Sequence, residues 1–310
     1  MKRAYFLSMF LCLLAHSQKA RAEIAQIGAA TLRRPLGARA SAMGQAFAGA
    51  DGGIDSLGYN PAGLTSAANP VIQTAYTHGI IDDHFSYGAY AHPFAAFTLA
   101  AGLLYYDAGT ISLNLSNGAN GNVKAQQDFA ALAAIGFKLI PGLSAGILAK
   151  FYRLNLAQTA TARGYAMDGG LLWKLAKTGI GLGAAIQNLG PDVKFEQNGD
   201  PLPLTLRFGA SYRFLGPDDA ILSGSPNFLL NLDGVKVRDS ETTAGAGVEL
   251  SLPYSDYGSA ALRLGSAFNS PSDSATIGFG IKESRFIFDY AVGVKRAVNN
   301  MHHFSLGFKF

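Results

Sequence analysis

The sequence predicts an all-β protein, a transmembrane antiparallel β-barrel of about fourteen strands with an N-terminal hatch segment in its lumen. Three observations carry this. Apolar and polar residues alternate with period 2 from Val71 to the last residue, Phe310, between turns of Gly, Pro, Asn and Asp. No stretch after the first residues is long and apolar enough for a membrane helix. The segment before Val71 is rich in small residues and does not alternate.

The chain begins with Lys2-Arg3, an apolar run over residues 4–15 and a polar stretch closing with Ala20-Arg21-Ala22. A run of about a dozen residues is too short to span a bilayer as a helix, which takes roughly 20. It reads as a secretory signal peptide over residues 1–22, cleaved after Ala22. The sole cysteine, Cys12, leaves with it, so the exported chain has neither disulfide nor thiolate metal site. The formal charge of +4 also disappears. Removing Lys2, Arg3, Lys19 and Arg21 from the 25 bases leaves 21, against 21 acids. A neutral chain gives no electrostatic footprint for nucleic acid.

Residues 23–69 form the expected hatch and residues 70–310 the barrel. Period-2 stretches fall at 71–79, 83–92, 97–107, 128–140, 143–154, 163–175, 178–189, 202–214, 227–235, 242–252, 259–268, 275–282, 285–295 and 300–310. In the 202–214 stretch Leu202, Leu204, Leu206, Phe208, Ala210, Tyr212 and Phe214 share one face. Pro203, Thr205, Arg207, Gly209, Ser211 and Arg213 share the other. Successive strand side chains point to opposite faces, which suits lipid outside and a polar lumen inside. By the same parity Lys150, Arg207, Arg213, Arg263, Lys282 and Asp289 face the lumen.

An even strand count puts both ends of the strand set on the periplasmic side, where turns are short. Links at Pro141-Gly142, Ala176-Lys177 and Glu283-Ser284 are tight and fall at every second position, while links 108–127 and 190–201 are longer. Link 215–226 breaks this rule, either as a true exception or because the count slips nearby. The last stretch puts Phe304, Leu306, Phe308 and Phe310 on one face. Its aromatic end, Phe308 and Phe310, resembles the signal by which outer-membrane barrels are recognised by the barrel-assembly machinery. A soluble β-sandwich also alternates, but the apolar faces, the inward charges and the aromatic terminus weigh against it.

The hatch contains Gly37-Ala38-Arg39-Ala40, Met43-Gly44-Gln45-Ala46-Phe47 and Asp51, leading to Asn60-Pro61-Ala62-Gly63-Leu64. Further on come Ala184-Ala185-Ile186-Gln187-Asn188-Leu189-Gly190 and Asp200-Pro201-Leu202-Pro203-Leu204, then Arg207 and Gly209. Together these resemble the PorV/PorQ family within the FadL-like outer-membrane proteins, across essentially the whole exported chain. Tyr59 departs from the Trp usual there and keeps an aromatic anchor. The resemblance implies a fourteen-stranded barrel whose amino-terminal segment gates the lumen, with Gly37, Arg39, Met43, Gly44, Phe47, Asn60, Pro61, Ala62 and Gly63 as hatch residues. It implies passive uptake of hydrophobic small molecules such as long-chain fatty acids. Its alternative is a PorV-like role handling cargo for type 9 secretion with a secretion-system partner. From the residues alone, Gly37, Gly44, Gly63 and Pro61 permit close backbone approach and sharp turns, while Asn60 to Leu64 serves equally as a turn into the first strand.

No enzyme is read from the remaining motifs. Gly142-Leu143-Ser144-Ala145-Gly146 fits the G-x-S-x-G pattern, but strand rather than helix follows Ser144. Adjacent His302 and His303 face opposite ways in a strand and cannot grip one metal together. His78, His84 and His92 read as a polar ring at the membrane boundary. Gly179, Gly181 and Gly183 lack a nucleotide-binding spacing and leave room for a lumen plug or a bend. Neither cofactor nor metal is expected.

Overall fold

The computed structural model describes residues 27–79, 83–114, 120–216, 222–223, 226–269, 274–295 and 300–310. The expected signal peptide lies outside them. Fourteen strands form the barrel wall. The first seven are β1 (Val71–His78), β2 (His84–Pro93), β3 (Phe97–Asp107), β4 (Gln126–Ile140), β5 (Leu143–Leu156), β6 (Ala160–Leu175) and β7 (Ile180–Leu189). The others are β8 (Thr205–Gly216), β9 (Asn227–Val237), β10 (Thr242–Pro253), β11 (Gly258–Phe268), β12 (Ser274–Glu283), β13 (Phe286–Lys295) and β14 (Met301–Lys309). Each pairs antiparallel with the next, and β14 pairs with β1 to close the ring, Val71 opposite Lys309 and His78 opposite His302. Closure leaves no free end strand in the sheet, so its ladders satisfy the wall's backbone groups without water, while the outer end of β6, residues 160–166, pairs with β5 alone.

The alternation sorts side chains as read. Along β3, Leu99, Leu103 and Tyr105 are exposed outside, while Thr98, Ala100, Leu104 and Tyr106 are buried inside. Large apolar side chains on the outer wall are strongly exposed, Phe151 at 61%, Phe208 at 63% and Leu262 at 63%. A contiguous apolar belt of this kind belongs against lipid rather than water. No helix of the described residues is long and apolar enough to cross a membrane.

Several details differ from the sequence reading. Strand β8 starts at Thr205, and Leu202 is 1% exposed instead of joining the outer row. Leu204 N–H donates to the Leu202 carbonyl at 2.7 Å, a turn enforced around Pro203, and Asn188 Nδ2 donates to the Pro203 carbonyl at 3.2 Å. The long link after β8 is a true exception on the tight-turn end, and the count does not slip. Leu215 and Gly216 there pair in parallel with Leu222 and Ser223. The link after β3 carries its own ladder, Thr110–Asn114 with Asn120–Lys124, tied to the wall by Lys124 and Asp107 at 3.0 Å. A shorter ladder, Val193–Lys194 with Gly199–Asp200, lies in the link after β7.

The segment before β1 folds inside the ring. It is built from three 3-10 turns, Ala30–Arg33, Gly53–Gly58 and Pro61–Ser66, and one short helix, α1 (Ala38–Ala42). Elements this short have no independent stability. The wall holds them.

Candidate functional site

The lumen is plugged by residues that bond the wall almost one by one. Gly37 caps the start of α1, and its φ of 82° suits glycine. Ala38 N–H then donates to Ser305 Oγ of β14 at 2.7 Å. After α1 the chain turns at Gly44, its φ 62°. A Cβ there would run into the backbone of Ala246 and Ser266. Thr276 of β12 holds both sides of this turn, accepting from Gly44 N–H at 3.2 Å and donating to the Ala42 carbonyl at 3.0 Å. Met43 and Phe47 are fully buried beside it.

The next hatch carbonyls and amides lie on β7, β8 and β9. Asp233 accepts from Phe47 N–H at 2.9 Å and Ala48 N–H at 3.0 Å. Arg207 pairs with Asp233 at 3.3 Å and donates to the Gln45 carbonyl at 3.0 Å, while Asn231 Nδ2 donates to the Ala46 carbonyl at 2.9 Å. Ser211 reaches the Gly49 carbonyl at 2.7 Å. Asp51 is gripped by Lys174 at 2.7 Å and Arg213 at 3.4 Å. Asn60, 1% exposed, donates through Nδ2 to the Ala48 carbonyl at 2.8 Å and the Leu171 carbonyl at 2.9 Å. Its Oδ1 accepts from Ala62 N–H at 3.1 Å and caps the turn that opens at Pro61. Gly63 follows in that turn, and a Cβ on it would collide with Ser56.

A chain of buried charges runs from wall to hatch. Arg263, 1% exposed, bridges Asp289 at 2.7 Å and Glu249 at 2.6 Å. Glu249 also accepts both arms of Arg39, Nε at 2.8 Å and Nη2 at 2.9 Å. Arg39 ends the chain 3.7 Å from Asp55, which accepts from Gln73 Nε2 at 2.8 Å. Fork-shaped guanidinium contacts with a carboxylate are among the stronger and more directional polar links. Burial pushes the Asp55 carboxyl above the usual carboxylate range, and Arg39 pulls against that shift. Aromatic faces cover the cations, with Arg39 5.3 Å from the Phe47 ring and Arg207 5.1 Å from the Tyr59 ring.

Two cavities lie on opposite sides of this plug and share no lining residue. The inner one, toward the tight turns, has a volume of about 1420 Å³ and is lined by Lys138, Lys174, Arg213, Lys282 and Lys309 together with Asp51, Asp55 and Asp289. The outer one, about 510 Å³, is lined by Arg33, Arg34, Gln45, Tyr106, Gln187, Asn188 and Arg207. Arg34 is fixed there by Asp83 at 3.0 Å and lies 3.8 Å from the Tyr106 ring centre.

The charged side chains expected on the lumen face are not a free lining. Lys150 is bound within the wall by Asp168 at 2.8 Å and Asn188 at 2.7 Å. Arg207, Arg213, Arg263 and Asp289 are braces for the plug or for each other. Lys282, half-buried on the inner cavity, has no ion-pair partner among the described residues. The glycine reading also sharpens: Gly183 lies under Ala48, where a Cβ would strike its carbonyl. Ser144 Oγ accepts from Thr65 Oγ1 at 2.9 Å, which makes it a plug contact. Sequence reasoning missed Glu249, Asp233, Asn231, Thr276 and Ser305. The available signal was their inward parity, since five polar side chains on the lumen face need partners. Among the described residues, no three His, Cys, Asp or Glu side chains come together as a metal site.

Phe308 and Phe310 sit at the tight-turn end, packed ring to ring at 5.1 Å, with Phe286 5.2 Å from Phe308 and Tyr90 6.2 Å from Phe310. Phe310 N–H donates to the Pro70 carbonyl at 3.0 Å, so the two chain ends of the barrel meet there.

Fold and lumen together define a closed fourteen-stranded barrel plugged by its own amino-terminal segment. Solved structures share this fold at low identity. The CymD monoaromatic hydrocarbon channel superposes with a TM-score of 0.63 at 12% identity, over 89% of this chain and 97% of CymD. The Ralstonia pickettii toluene transporter TbuX gives 0.57 at 13%, over 90% and 99%. A Pseudomonas aeruginosa FadL homologue gives 0.55 at 10%, over 92% and 98%. No protein-family model and no curated protein matches the sequence, so the narrower likeness to PorV/PorQ rests on its motifs alone.

Proposed function

We propose that this protein is an outer-membrane channel for passive uptake of hydrophobic small molecules, gated by its hatch. The carrying observation is the plug itself: a wide barrel whose lumen is interrupted by a segment held through side-chain bonds rather than through the wall's backbone ladder. Such a segment can shift without opening the barrel. The neighbours described as a monoaromatic hydrocarbon channel and a toluene transporter support the class, and long-chain fatty acids are the first ligands to test. The leader at residues 1–22 serves export, and the aromatic end at Phe308 and Phe310 serves recognition for insertion.

Proteoliposomes containing the full exported chain should take up labelled fatty acid or toluene faster than empty liposomes. Uptake should saturate and should rise when the hatch is loosened by Glu249→Gln. No uptake of either probe in both forms would overturn the reading.

A further inference from the structure

Two arginines face each other on the outer wall. Arg153 on β5 and Arg163 on β6 are Cα partners across the ladder, both exposed on the outer face. Like charges placed directly opposite in an antiparallel pair repel. Neither guanidinium has an ion-pair or hydrogen-bond partner among the described residues. The acids nearest in sequence, Asp128 on β4 and Asp168 on β6, are buried on the inward face. Asp168 is committed to Lys150.

Their level in the wall is informative. Phe151 on β5 and Tyr165 on β6 are the next outward pair below them, 61% and 54% exposed, with Phe129 of β4 beside Arg153 at 44%. From Tyr165 the outward row of β6 continues through Met167 and Leu171 to Trp173 at the tight-turn end. Eight residue steps span about 26 Å of strand, which matches a tilted crossing of the apolar band. Asn155 and Thr161 lie above the arginines, just before the link into β6. The pair therefore stands at the headgroup level of the outer leaflet, directly over an aromatic shelf for acyl chains.

We propose that Arg153 and Arg163 form a binding site for the phosphate of an anionic outer-leaflet glycolipid, a phosphorylated lipid A-type molecule whose acyl chains lie on Phe129, Phe151 and Tyr165. One phosphate bridging two guanidiniums converts their repulsion into charge-assisted hydrogen bonds. The orientation rests on the short turns being periplasmic, and the site is independent of what the lumen carries.

The test uses the full exported chain in phosphatidylcholine vesicles doped with bisphosphorylated lipid A or with the same glycolipid stripped of phosphate. Urea unfolding and retained glycolipid are both read. The phosphorylated form should raise the unfolding midpoint, whereas the stripped form and inorganic phosphate should not. Arg153→Gln should weaken binding about tenfold, and Arg153→Gln with Arg163→Gln on the order of a hundredfold. The double variant should keep the folded, heat-modifiable barrel and unchanged uptake of the hydrophobic probes. Equal midpoint shift and equal retained glycolipid in native and double variant would overturn the proposal. So would reproduction of the shift by inorganic phosphate, or a double variant whose sole change is loss of self-association.

Discussion

Glu249→Gln tests whether the charge chain latches the plug. Glu249 is 2% exposed and accepts from two guanidiniums, Arg39 of the hatch and Arg263 of the wall. The amide keeps the volume and one acceptor but removes the charge. Arg263 still has Asp289 at 2.7 Å, whereas Arg39 keeps only the weaker contact with Asp55 at 3.7 Å. The damage therefore falls on the hatch side. Breaking one member of a buried pair costs about 3–5 kcal/mol. If most of this is expressed in hatch release, the opening equilibrium rises by roughly two to four powers of ten. In proteoliposomes, amide exchange over residues 37–66 should accelerate and a small hydrophilic dye should leak faster, while the strands stay protected. Arg39→Met and the double variant complete a cycle. Single changes whose effects simply add, or a Glu249→Gln protein with native exchange and native leak, would refute the latch.

Three further outcomes follow from the same geometry. Gly183→Val places side-chain atoms where the Ala48 carbonyl sits, so exchange protection over residues 45–50 should be lost while the wall still forms. A native pattern would mean the plug is not seated on β7. Asn60→Ala removes two buried donations and a cap, and should cost the hatch about 1–3 kcal/mol, read as faster exchange at residues 60–66. Asp55 has a folded value raised above the unfolded one, so its titration favours the folded hatch at acid pH. That contribution is full below the unfolded carboxylate value of about 3.9 and is lost as pH rises through the raised folded value. Native protein should thus gain hatch stability over Asp55→Asn as pH falls through that window, measured by exchange in vesicles. A pH-independent difference would show that Asp55 does not titrate there.

The histidines show how far local pattern reaches. Parity alone separated His302 from His303, and the structure keeps them on opposite faces. What parity did not show is that ring closure sets His78 opposite both His84 and His302, a row spanning three adjacent strands. The tyrosines Tyr76 and Tyr290 hydrogen-bond His84 and His302 at 2.7 Å each, and His92, at the other end of β2, hydrogen-bonds Tyr90 at 2.8 Å.

The sequence by itself determined the wall. Period-2 alternation, turn chemistry and the aromatic end are local properties, and a barrel strand is specified by which residues tolerate lipid on one side. Thus the third strand is legible to the residue, from Phe97 to Asp107. Most other strand ends moved by one to three residues, because where a ladder stops depends on its neighbour strand and on competing turns such as the one at Pro203. The plug's position inside the ring was implied by resemblance, but its attachment was decided by tertiary structure. Phe47 meets Asp233 across 186 residues and Arg39 meets Glu249 across 210. No periodicity encodes such pairings. A buried charge chooses its partner from whatever the closed barrel brings within hydrogen-bond reach, and an unpaired one is too costly to remain.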